Sequence, residues 1–161
     1  DLTAEVDSVS FCFSKGLSAP IGSALCGSFE FIERARKWRK MLGGGMRQVG
    51  VLAAAGIIGL EQMIPRLAED HENAQRLAKG LANVPGIVID PASIQTNIVF
   101  FEWQGGPGSD FLAKVNERGL KISGAAPRFR MVTHWGINGE DVEEALEIIE
   151  AAAKEATVSK V

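Results

Sequence analysis

VSFCFSKGLSAPIG, residues 9–22, joins an apolar run to a lysine and then to a series of small residues. The run 9–13 is short, apolar and rich in aromatic and β-branched residues, which predicts a buried strand. Ser14-Lys15-Gly16-Leu17 then places one amine at the end of that strand, and Ala19-Pro20-Ile21-Gly22 turns the chain. Small residues let a large planar ligand approach the backbone closely, so Lys15 is a candidate Schiff-base nucleophile. On these four residues alone, an ordinary surface lysine is the competing reading.

Residues 23–26 read as a second short strand. Ser28 is placed to cap a helix over 31–40, with Glu30 in its first turn suiting the helix dipole. From Val49 the apolar positions Leu52, Ala53, Gly56, Ile57, Leu60, Ile64 and Leu67 keep a helical spacing, and Ala74, Leu77, Ala78 and Leu81 continue it. Pro65 should kink this long helix, because proline lacks the backbone donor and crowds the preceding turn. The spacing places a boundary between two bodies near Ala82. Beyond Pro85-Gly86, strands are expected over 87–89, 97–102, 120–123 and 129–133. Ser109 is expected to cap a short helix carrying Phe111, Leu112 and Val115, and Asn138 or Gly139 to open a final helix with Val142, Ala145, Leu146 and Ile149 on one face. This second part reads as α+β.

Arg128 and Arg130 lie two apart on an expected strand and share a side, so periodicity cannot choose between them as a carboxylate clamp. Gly43-Gly44-Gly45-Met46-Arg47-Gln48 lacks the Lys-Ser/Thr that follows the glycines of a nucleotide phosphate loop. Three glycines before a helix still offer free amides and a positive dipole end for anion contact. Lys40 belongs to a basic cluster with Arg34, Arg36, Lys37 and Arg39. His71 and His134 have no ligand partner nearby and are read as structural or supporting residues. Cys12 and Cys26, in apolar runs, are read as reduced core residues, and no metal-ligand spacing occurs. The acidic run Glu140, Asp141, Glu143, Glu144, Glu147 and Glu150 reads as a solvated helix face.

Several of these segments occur together in one order: Lys15 in its small-residue turn, Gly22-Ser23-Ala24-Leu25-Cys26-Gly27, the basic helix ending Arg39-Lys40-Met41, and Gly43-Gly44-Gly45-Met46-Arg47-Gln48. Ala53-Ala54-Ala55-Gly56, Leu67-Ala68-Glu69-Asp70-His71, Asn73-Ala74 and Arg130-Met131-Val132-Thr133-His134 follow. The series resembles the low-specificity L-threonine aldolases, pyridoxal-phosphate enzymes of fold type I in the β-eliminating-lyase group. The resemblance implies an α/β fold: residues 1–82 as the C-terminal part of the cofactor-binding large domain with a long bridging helix, and 83–161 as a small α+β domain. It implies pyridoxal 5'-phosphate held by Lys15, with Lys40 and Arg47 near the cofactor phosphate or across a subunit interface. It also implies a substrate carboxylate held by Arg130, the arginine directly before Met-Val-Thr-His. The implied reaction cleaves L-threonine or L-allo-threonine to glycine and acetaldehyde through a lysine Schiff base, in a homo-oligomer.

The bulk properties agree with this. At 161 residues with 46% hydrophobic content, the length prior is one domain with a sizeable core. A net charge of −3 offers no basic surface for nucleic acid or an anionic membrane. No run of about eighteen apolar residues occurs, and Asp1-Leu2-Thr3-Ala4-Glu5 has no secretory pattern. A cytoplasmic location is therefore the default, and the resemblance implies a small amino-acid substrate. The cofactor-phosphate loop, ring-stacking histidine and pyridine-pairing carboxylate of the resembled family do not occur in this sequence, which reads as the C-terminal half of such an enzyme. Two other classes stay open. One is a different fold-type-I reaction, β-elimination or transamination, on the same lysine. The other is a non-catalytic assembly fragment lacking the rest of the site.

Overall fold

The computed structural model describes residues 3–158, which form two compact units divided between Leu67 and Ala68. In the first, Ser8–Cys12 (β1) and Ser23–Gly27 (β2) pair antiparallel, with Phe11 opposite Ala24 and Cys12 opposite Ser23. The sequence predicts a fully buried strand here, but β1 only alternates: Val9 and Phe11 are half-buried, and Cys12 and Cys26 are exposed free thiols rather than core residues. A two-stranded ribbon has too few neighbours to cover both faces: alternation sends Cys12 to the open side with Ser10 and Ser23, and Cys26, opposite Val9, stays exposed even on the half-buried side.

Phe29–Met41 (α1) follows, with Ser28 Oγ accepting from the Phe31 N–H at 3.3 Å as the N-cap. Its C-terminus closes on Gly43, at φ +86°, with the Gly43 N–H donating to Lys40 O and the Gly44 N–H to Arg39 O. That is a Schellman closure, in which a left-handed residue just past the helix lets the next amides reach back. Gly50–Ile58 (α2) then runs into a π-helical turn, Gly59–Met63. The single kinked helix expected over 49–81 is therefore broken into pieces. The Pro65 ring removes a backbone donor, and Leu67–Leu81 (α3) starts two residues later.

All of α3 but its first residue belongs to the second unit, so the division falls at the start of this helix rather than near Ala82. The reason is burial: Ala74, Leu77, Ala78 and Leu81 enter the same core as Val99, Phe101, Phe129 and Ile149. Ile87–Val88 (β3), Ile98–Trp103 (β4), Gly108–Glu117 (α4), Ser123–Ala125 (β5), Arg128–Val132 (β6) and Gly139–Val158 (α5) complete the unit. Its strands form an antiparallel sheet in the order β3-β4-β6-β5. β4 alternates cleanly: Val99, Phe101 and Trp103 are buried, while Ile98, Phe100 and Glu102 are exposed. The Trp103 and Phe111 rings stack at 4.4 Å, and Phe101 meets Phe111 edge-on at 6.5 Å. The strand expected over 120–123 starts only at Ser123. Leu120 and Ile122 are half-buried against the core, but ladder pairing with β6 begins after them.

Ser109 is not the cap of α4. Pro107 holds that position without a side-chain bond, and Ser109 Oγ donates to Asp110 Oδ1 instead. Asn138 does cap α5: its Oδ1 accepts from the Glu140 and Asp141 N–H groups, and Asp141 Oδ2 accepts from the Asn138 N–H at 2.8 Å. This reciprocal pair is a capping box with an aspartate in the returning position.

Candidate active site

Lys15 sits where β1 ends, and the turn around it is held by the backbone. The Ser18 N–H donates to Lys15 O at 2.8 Å, the Ala19 N–H to Phe13 O at 3.1 Å, and the Phe13 N–H to Gly22 O at 2.9 Å. Ser18 adopts φ +58°, a left-handed conformation uncommon for a residue with a side chain. Leu17 and Ala19 are buried, whereas Lys15 is exposed. The turn thus anchors itself through its neighbours and leaves the amine open.

Lys40 and Arg47 lie on the stretch that follows. The Lys40 side chain folds over Gly45, where a Cβ would come within 3.2 Å of its Nζ. The amides of Gly43 and Gly44 close α1, and α2 begins only at Gly50. The glycines therefore do not open a helix, and a dipole end with free amides at Gly43 and Gly44 is not what they offer. The anion-binding chemistry left to this stretch is that of Lys40 and Arg47 themselves. Both are exposed.

In the second unit the sheet presents Ile98, Phe100, Arg128, Arg130 and Val132 on its open face. Here the structure separates two arginines that periodicity could not. The Arg128 guanidinium lies 4.5 Å from the Phe100 ring centroid, a cation–π contact, and Arg128 pairs across the ladder with Glu102. Arg130, opposite Phe100 and Ser123, has no side-chain hydrogen bond or ion pair among the described residues. A shallow pocket of about 310 Å³ opens on this face, lined by Phe100, Ser123, Gly124, Arg128, Phe129 and Arg130. A larger hollow of about 380 Å³, lined mostly by apolar residues such as Leu77, Leu120 and Ile148, includes neither of the two arginines.

The end of β6 is tied down. Thr133, buried, donates through Oγ1 to Asp70 O at 2.6 Å in the first turn of α3. Asn97 Nδ2 donates to Thr133 O at 2.8 Å, and the Thr133 N–H donates back to Asn97 O. His134 Nδ1 lies 2.8 Å from Trp135 O, a local backbone contact, and His71 is half-buried on α3. Among the described residues no group of three or more His, Cys, Asp and Glu gathers as a metal site.

Lys15 thus lies in the first unit with Lys40 and Arg47, and Arg130 in the second. Phe100, Thr133 and Leu17 were not singled out from sequence. For Phe100 the signal was available, since strict β4 alternation forces one large aromatic outward beside an arginine.

The architecture is that of the fold-type-I pyridoxal-phosphate enzymes. The solved serine palmitoyltransferase of Sphingomonas wittichii superposes with a TM-score of 0.79 over 98% of this chain and 42% of its own, at 22% identity, and so shares the fold. Residues 1–104 match the beta-eliminating lyase family, and the chain belongs to that family of pyridoxal-phosphate-dependent enzymes. Low-specificity L-threonine aldolase 1 of Arabidopsis thaliana is 41% identical over 155 residues, covering 94% of this chain and 43% of the relative. Low specificity L-threonine aldolase of Escherichia coli K12 is 40% identical over 144 residues, covering 89% and 42%. The chain spans less than half the length of the curated relatives it matches.

Proposed function

We propose that this chain supplies the lysine and the carboxylate-binding arginine of a lyase that cleaves L-threonine or L-allo-threonine to glycine and acetaldehyde. The observation that carries the reading is the Lys15 turn: an exposed amine on a backbone fixed by three hydrogen bonds and two buried neighbours. The donor set fits pyridoxal phosphate, with a primary amine for the aldehyde and two cations, Lys40 and Arg47, for the phosphate. When bound, that cofactor supplies an electron sink for the bond that breaks.

This chain's own residues then bind and orient. Arg130 offers two parallel N–H donors to the substrate carboxylate, and with no intramolecular partner among the described residues it exchanges only water for that contact. Arg128, resting on Phe100, forms a wall of the same pocket. Holding the carboxylate fixes rotation about Cα and so decides which Cα bond is aligned to break. In the overall change the β-hydroxyl loses its proton, the Cα–Cβ bond breaks to release the aldehyde, and Cα gains a proton to give glycine. A homo-oligomer in the cytoplasm is part of the same proposal. The association is supported by the apolar residues that α2 and the π-turn leave exposed, Val51, Ile57, Ile58 and Leu60.

The test is trapping of pyridoxal phosphate on the full chain with borohydride, followed by peptide mass mapping. One dominant adduct on Lys15, lost in Lys15→Ala, is expected. Adducts spread evenly over the surface lysines would sink the reading.

A further inference from the structure

Gly56 and Gly59 are both buried in the helix that runs past the lysine turn. Neither has a left-handed φ: Gly59 sits at φ −56°, ψ −44°, ordinary right-handed helix. Backbone conformation therefore does not call for glycine at Gly59, and helix propensity favours alanine over it. What distinguishes the two positions is what stands opposite. A Cβ on Gly59 would come within 3.2 Å of Leu17 O and 3.4 Å of Leu17 Cβ, whereas one on Gly56 would meet the Phe13 ring at a comfortable 3.9 Å. Gly59 is also the first residue of the π-turn, a local widening that is frequent at functional sites.

We propose that Gly59 is a positioning residue for Lys15. Leu17 is the buried foot of the turn whose Ser18 N–H closes onto Lys15 O, so the height at which the helix meets Leu17 sets the height of the amine two residues away. This inference rests on the reading of Lys15 as the cofactor lysine. Its mechanical half, that Gly59 sets the turn, does not depend on any cofactor.

The experiment compares Gly59→Ala with Gly56→Ala on the full chain. Both make the same gain in helix propensity, and only the first crowds Leu17. Without cofactor, amide exchange at Ser18 is expected to quicken by about tenfold in Gly59→Ala and to stay within about twofold of the parent in Gly56→Ala. With pyridoxal phosphate and borohydride, the share of adduct on Lys15 is expected to fall by about tenfold in Gly59→Ala alone, the scale of a modest misplacement of a reacting group. Unchanged Ser18 exchange in Gly59→Ala, or equal effects of both variants, would overturn the proposal. A collapse of the melting temperature in Gly59→Ala would overturn it as well, because the contact would then hold the fold rather than place the amine. Should the parent chain show no preference for Lys15, the functional reading fails, and Ser18 exchange still decides the role of Gly59 in the turn.

Discussion

Arg128 and Arg130 share a strand face and differ in what they touch, and that difference makes an asymmetric prediction. Arg128 already spends its guanidinium face on the Phe100 ring, a contact of about 0.5–1 kcal/mol at an exposed site. Arg130 makes no such commitment. Under the proposed function, Arg130→Lys should raise the KM for L-threonine by about tenfold or more, because an ammonium cannot donate two parallel bonds. Arg128→Lys should change KM by less than about threefold. Equal penalties would mean that both arginines grip the carboxylate. Motif order singled out Arg130 where alternation could not, while the stacking of Arg128 on Phe100 needed coordinates.

At the scale of the element, helix ends are the places where single side chains decide whether a segment forms. The Asn138–Asp141 capping box satisfies three amides at the start of α5, whose inner face carries Val142, Ala145 and Ile149 into the core. Asn138→Ala should cost about 1–2 kcal/mol in urea denaturation of the second unit, and Ser28→Ala at the exposed α1 about 1 kcal/mol or less in the first. Ser28 was legible from its place before the helix, and Asn138 as one of two candidates with Gly139. Ser109 looked equivalent and was not, because Pro107 with its fixed φ starts α4 two residues earlier. The triglycine was misread for a related reason: composition shows that a backbone is permissive, not which neighbouring carbonyls its amides will reach. The strand over 9–13 was legible as a strand but not as a half-open one, because burial depends on how many other strands lie beside it.

At the scale of the whole molecule, the two units differ in what holds them. The second has a continuous core in which Phe101, Phe111, Phe129, Leu81 and Ile149 are almost fully buried. The first buries Leu17, Ala19, Gly56 and Gly59, and its helix α1 buries nothing. Apolar burial is worth about 25 cal/mol per Å², so protection should be uneven along the chain. Hydrogen exchange of the full chain should show β4, β6 and α5 as the slowest amides and α1 among the fastest, with limited proteolysis cutting first in the stretch around Gly43–Gly45. Uniform protection across both units would contradict this distribution. The α+β character of the second unit was readable from the change of period after Pro85-Gly86. That α3 belongs to it was not, since an amphipathic helix announces an apolar face without naming the body that will cover it.

β6 carries Phe129 into the core and Arg128 and Arg130 out of it, on alternate residues. The two jobs are written in a two-letter rhythm, so a genetic insertion of one residue between Asn97 and Thr133 has sharply different consequences depending on where it falls. Inside β4 or β6 it would swap the faces, sending guanidinium into oil and phenyl rings into water, and core and chemistry would be lost together. In the connection 118–122 the added residue could bulge outward and leave the pairing of Phe100 with Arg130 untouched. The lineage carrying this chain is therefore free to vary the length of that connection and held to an unvarying count along the two strands.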